Sequence, residues 1–268
     1  MSTRSAGNAA ADQGSATASP AAASPATASP ATANRATASP ATSARTLLAR
    51  KTIGIDPGHD GGNFHDPAFL NKQIWNGREY ENCDTTGTQT AAGYTEARFN
   101  FNVASYLRGD LVALGAHVVM TRHGNSGVGP CVTTRAEIID RAHANVAIDI
   151  HADGGPPSGR GFTVLEPVAD GPNDKVIGAS GRFGADVRAA VLKYTGMPES
   201  DYYGREGLIT RNDLAGLNLT TVPKVLIECG NMPNRIDARL LTSPAFQQRM
   251  ARALTAAIVA FLTARHAG

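Results

Sequence analysis

The chain has 268 residues, with 25 basic side chains against 23 acidic ones and a formal net charge of +2. That balance, with no Lys/Arg cluster, excludes the concentrated basic face that nucleic acid requires, and no run of roughly 18 apolar residues is present to span a membrane. The chain reads as soluble, with one domain of ordinary size at 46–268 and a compositionally biased segment at 1–45.

From Ser15 to Thr42 the sequence cycles through Ala, Thr, Ser and Pro with almost no large apolar side chain. Such a segment cannot bury enough surface to offset its ordering entropy and is expected to be disordered. Met1 to Gly14 lacks the apolar stretch of a signal peptide, so export is not legible here. Beyond it, Lys51 to Asp56 is a short apolar strand that runs into the turn Pro57-Gly58-His59. Thr95 is placed to cap a helix reaching Leu114, because Phe99, Val103, Leu107, Leu111 and Leu114 recur at spacings of three and four. Gly115 ends it. Ala116 to Thr121 is a second strand, Arg135 to Ala144 a helix, Val146 to Ile150 a third strand, and Gly161 to Leu165 another. Val176 to Tyr194 reads as a long helix and Val222 to Glu228 as a buried strand. Ser243 to Ala264 is the last helix, and Ser243-Pro244 is a favourable start for it.

Strands separated by helices of this length predict a three-layer α/β/α arrangement, a mostly parallel twisted sheet with helices on both faces. In such sheets ligands bind beyond the carboxyl ends of the strands. His59, His151 and Glu228 all fall at or just after such ends, so three polar residues should converge on one edge.

A hydrolytic zinc site needs three nitrogen or oxygen ligands, an open position for water, and a nearby carboxylate that is not itself a ligand. His59 lies in a turn flanked by Gly58, Gly61 and Gly62, whose missing side chains would let backbone and substrate approach a metal closely. Taken alone, a histidine after a glycine is more often an ordinary loop residue. Glu96 sits in the first turn of a helix, where a carboxylate is favourable even without a ligand. His151 closes an apolar strand with Asp153 close behind, which calls for compensation of buried charge. Asp149 shares a strand face with His151 and either orients it or pairs with Arg141 or Arg135. Glu228 ends the apolar run Val225-Leu226-Ile227, where it either shuttles protons or pairs with Arg235 or Arg239. Cys83, Cys131 and Cys229 show no CxxC spacing. Cys83 and Cys131 lie in loop-like sequence suited to a disulfide in an oxidising compartment, the alternative being three reduced, partly buried thiols.

Several stretches, in order, resemble one family. They are Ile55-Asp56-Pro57-Gly58-His59-Asp60-Gly61-Gly62, the helix opening at Glu96, Met120-Thr121-Arg122, Arg135, Ile150-His151-Ala152-Asp153, and Leu226 through Asn234. From Lys51 to about Ala264 the chain is similar to zinc-dependent N-acetylmuramoyl-L-alanine amidases of the amidase 3 type, including mycobacterial forms. The resemblance implies one zinc ion per chain held by His59, Glu96 and His151, and Glu228 as the catalytic acid/base. It implies hydrolysis of the amide between the lactyl group of N-acetylmuramic acid and L-alanine, with peptidoglycan or a muropeptide as substrate, in an exported protein of the periplasm or cell wall. A monomer is the default expectation. The rival readings are an inactive relative that binds wall fragments or a partner, and a zinc peptidase or amidohydrolase with another target. This chain departs from the family pattern at Asp60, at Asp149 and in the long stretch Asn63 to Tyr94, which would shape or cover the substrate groove.

Overall fold

A computed structural model of the chain describes residues 46–264. The segment expected to be disordered lies outside the described residues. Within them, a six-stranded sheet carries the order β4-β1-β5-β8-β6-β7, formed by β1 (Thr52–Pro57), β4 (His117–Met120), β5 (Val146–Asp153), β6 (Thr163–Pro167), β7 (Leu208–Arg211) and β8 (Lys224–Asn231). A small antiparallel hairpin pairs β2 (Gln73–Trp75) with β3 (Tyr80–Asn82). The large sheet is parallel except that β6 runs antiparallel to β8. Only residues 154–162 separate β5 from β6. That is too short for the crossover a parallel return requires, so β6 comes back in the opposite direction.

Helices cover both faces, as expected. On one side α2 (Glu96–Ala113), α4 (Ile177–Thr195) and α7 (Pro244–Thr263) pack on the sheet and on each other. Their buried stripes, Phe99, Val103, Leu107 and Leu111 on α2 and Phe246, Met250, Leu254, Ile258 and Phe261 on α7, meet Ile53, Ile55, Ile148, Ile150, Val225 and Ile227 of the strands. Gly115, at φ 89, ends the α2 stretch in a left-handed turn closed to most side chains. The other face is thinner. It carries α3 (Val132–Arg141) and the short α5 (Ala215–Asn218) over two small apolar clusters, one around Ile139 and Ala147 and one around Leu165, Leu217 and Leu226. The remaining helices are α1 (Pro67–Leu70) and α6 (Arg235–Leu241).

Period-two alternation along the strands sorts the site. In β5 and β8 the aliphatic residues Ile148, Ile150, Val225 and Ile227 join the thick core. Asp149, Lys224, Leu226 and Glu228 alternate with them and face the thin side. The helix expected from Arg135 to Ala144 begins and ends three residues earlier. Cys131 is its extended N-cap, and His143, at φ 49, lies beyond its end in the left-handed region. No helix among the described residues is long and apolar enough to cross a membrane.

Cys83 and Cys131 are joined in a disulfide, and Cys229 is free and buried. The bridge ties the stretch that precedes α2 to the start of α3.

Candidate active site

The first histidine is delivered by a turn that its neighbours hold in place. His59 adopts φ 57, a left-handed conformation uncommon for a residue with a side chain, at the point where the chain leaves β1. Two buried arginines grip the turn's carbonyls. Arg135 donates to Pro57 O at 2.9 Å and His59 O at 3.0 Å, and Arg122 donates to Pro57 O at 2.8 Å and Gly58 O at 3.2 Å. Arg135 is itself paired with Asp56 at 2.8 Å and Asp84 at 3.0 Å. Gly58 must be glycine, because a Cβ there would sit 2.0 Å from the His151 ring.

Three donors then converge. Glu96 opens α2, with Oε1 2.9 Å from His151 Nδ1 and 3.3 Å from His59 Nε2. The two imidazoles lie edge to face, with centroids 4.9 Å apart. The ligand atoms of His59, Glu96 and His151 all fall within 4.8 Å of one another. His59 Nδ1 turns the other way, toward Asp84 Oδ1 at 3.2 Å and Thr85 O at 3.1 Å, which leaves Nε2 facing Glu96. Thr88 N donates to Glu96 Oε2 at 3.0 Å, and Gly87 leaves room beside it, since a Cβ there would sit 2.8 Å from that oxygen. Two imidazole nitrogens and a carboxylate, with His59 and Glu96 oriented from behind, make a donor set that fits a divalent metal ion.

Electrostatics agree with that fit. Burial alone would lower the His59 imidazole, but Glu96 and Asp84 outweigh it and raise it to about 10. Burial would raise Glu96, yet the two histidines hold it well below its usual range. The pocket therefore favours a bound cation.

Glu228 stands beside His151, its register partner on β8. Its Oε2 is buried with no hydrogen-bond partner, and burial, followed by the charges of Glu96 and Asp153, pushes its carboxyl well above the usual range. Neither Arg235 nor Arg239 pairs with it. A cavity of about 500 Å³ joins Glu228 to His59, Glu96 and His151.

The sequence profile described as N-acetylmuramoyl-L-alanine amidase, Amidase_3, matches residues 53–260. The chain belongs to this amidase family. It is 38% identical over 222 residues to the N-acetylmuramoyl-L-alanine amidase Rv3717 of Mycobacterium tuberculosis, covering 80% of this chain and 88% of that one. It is similar in structure to the amidase Ami1 of Mycobacterium smegmatis, with TM-score 0.77, 38% identity, and 81% and 99% of the two chains covered. Ami1 of Mycobacterium abscessus gives TM-score 0.76, 38% identity, and coverage of 81% and 100%. AmiC2 of Nostoc punctiforme, 22% identical with TM-score 0.61 over 81% and 99% of the chains, shares the fold. This protein is thus a peptidoglycan N-acetylmuramoyl-L-alanine amidase.

Around the amidase site, the structure corrects the reading of several neighbours. Asp149 neither orients His151 nor pairs with Arg141 or Arg135. It lies 2.8 Å from Lys224 Nζ, and burial raises its carboxyl to about 7 against the pull of that lysine. Arg141 instead pairs with exposed Glu137. Gly61 and Gly62 make room for the backbone at Asn125 and Gly127 rather than for substrate. Asp60 accepts from Gly127 N at 3.1 Å and so anchors the same loop. The stretch Asn63 to Tyr94 forms a wall of the cavity through Thr85, Gly87 and Thr88. Asp84, which steers His59, and Arg211, which lines the cavity, were not legible. Both come from segments with no periodicity, and the adjacent Cys83 was the only signal near Asp84.

Proposed function

We propose that the amidase is zinc-dependent, with His59 Nε2, Glu96 Oε1 and His151 Nδ1 as the ligand atoms and Glu228 as the acid/base. The observation that carries this reading is the convergence of those three donors beside a carboxylate whose buried oxygen has no partner. When bound, zinc supplies Lewis acidity toward the scissile carbonyl and lowers the pKa of water at the site. Glu228 Oε2 accepts a proton from the attacking water. It then returns that proton to the nitrogen of L-alanine as the bond to the lactyl carbonyl breaks. Burial, followed by the charges of Glu96 and Asp153, raises the Glu228 carboxyl above the usual range, the direction expected of a group that takes a proton and hands it on. Asp84 keeps His59 in the tautomer with Nε2 free, and Arg135 holds Asp84 and the His59 turn together.

The domain at 46–268 acts as the catalytic unit on the peptide side of peptidoglycan, in an exported protein that remodels or turns over the cell wall. A disulfide next to the site is in keeping with an oxidising compartment.

The test is metal content of the purified chain, with mass spectrometry of a muramyl-peptide digest before and after chelation. The expected result is about one zinc per chain, with products of N-acetylmuramic acid and L-alanyl peptide that vanish with chelator and return with zinc. Glu228→Gln should keep its zinc and lose activity by about 100-fold or more. Chelator-resistant cleavage, or near-native turnover by Glu228→Gln, would sink this assignment.

A further inference from the structure

The lining of the cavity includes a guanidinium that the proposed chemistry does not use. Arg211 closes β7 and lines the same space as Glu228. It is the sole arginine or lysine among the described residues lining that cavity, where Glu96, Asp153 and Glu228 are acidic. Its guanidinium is immobilised on two sides. Nε donates to Asp213 Oδ1 at 2.6 Å, Nη2 donates to Asp213 Oδ2, and Nη1 donates to the Tyr203 hydroxyl. A guanidinium has five N–H groups, so these bonds leave two for a ligand. The side chain keeps 30% of its surface exposed. Leu214 and Leu226 supply apolar surface in the same cavity.

Asp213 offsets the charge of Arg211, but the two N–H groups left over remain donors for an anionic peptide in a cavity that also holds the acidic Glu96, Asp153 and Glu228. A preorganised guanidinium with free N–H groups is the side chain best suited to hold a carboxylate. We infer that Arg211, steadied by Asp213 and Tyr203, forms a subsite for a carboxylate of the stem peptide on the leaving side of the scissile amide. The subsite rests on the proposed hydrolysis and adds substrate selectivity to it: stem peptides with a free carboxylate near the bond are preferred over amidated ones.

The test compares two soluble substrates, a muramoyl dipeptide whose second residue carries free carboxylates and its fully amidated counterpart. Wild-type holoenzyme should show a KM lower by about tenfold or more for the free acid. Arg211→Gln should raise KM for the free acid by a similar factor, move KM for the amide by less than about twofold, and leave kcat within a few-fold. Arg211→Lys should recover part of the preference. A purely structural role for the Arg211–Asp213 pair predicts an equal loss on both substrates, which would overturn the subsite. Equal KM values in the wild type would overturn it too, even if Arg211→Gln failed to fold. If the wild type cuts neither substrate, the proposed hydrolysis itself falls and the subsite with it.

Discussion

At the scale of single residues, the site depends on side chains that are missing as much as on those present. Gly58 lies against the His151 ring, where an added Cβ would sit 2.0 Å from a ring carbon. Gly58→Ala must displace that ring, and a misplacement of about 1 Å at reacting groups costs about 100-fold in rate. The expected outcome is a folded protein with reduced zinc content and activity down by about that factor, read by metal analysis and turnover of a soluble muropeptide. Asp56 illustrates the opposite case, a buried charge that belongs where it is. Burial would raise its carboxyl, but Arg135 and Lys224, with a hydrogen bond from Thr121, hold it at about 2 rather than 3.8. A folded pKa below the unfolded one means the group contributes stability above pH 3.8 and loses it as pH falls through 2. That contribution is about 2 kcal/mol. Denaturant unfolding between pH 5 and pH 2 should show this loss, and Asp56→Asn should start less stable and show a flatter slope. An unchanged slope would mean that Asp56 is not the group responsible.

At the scale of elements, the stretch from Asn63 to Tyr94 has little regular structure and is positioned by covalent and polar ties. The Cys83–Cys131 disulfide spans 48 residues and joins this stretch to the N-terminus of α3, where Val132 N also donates to Cys83 O at 2.8 Å. Cross-linking a loop of that length stabilises the folded state by up to about 4 kcal/mol. The double variant Cys83→Ser/Cys131→Ser should therefore unfold at lower denaturant concentration. Because Asp84 follows Cys83 and steers His59, affinity for the proposed zinc should also fall. Lower stability with unaltered zinc affinity would separate the bridge from the site. Elements with strong patterns were legible at this scale. The α2 and α7 stripes and the aliphatic runs of β1, β5 and β8 declare their period directly. The short β7, the β2–β3 hairpin and α5 were not, because three or four residues carry no usable period and their conformation is set by what they pack against.

At the scale of the whole molecule, the described residues enclose their own core from Leu48 onward. Leu48 is fully buried, and its backbone N–H reaches Leu114 O at 3.0 Å. A chain beginning at Thr46 is expected to match the full chain in thermal midpoint and turnover, whereas one beginning at Thr52 loses the Leu48 anchor and melts lower. Equal melting of the two truncations would show that this anchor carries no weight. By itself the sequence determined the layered α/β class and the strand ends that present His59, His151 and Glu228, because hydrophobic period and strand-end position are local properties of the chain. Glu96 joined them as a candidate only through the family resemblance. Only the tertiary structure decided that Asp149 pairs with Lys224, that Asp84 and Arg135 steer His59, and that Arg211 lines the same cavity as Glu228. Those partners lie 17 to 76 residues apart in the chain. Burial makes each charge require a counterpart, but sheet order and register choose which one it meets.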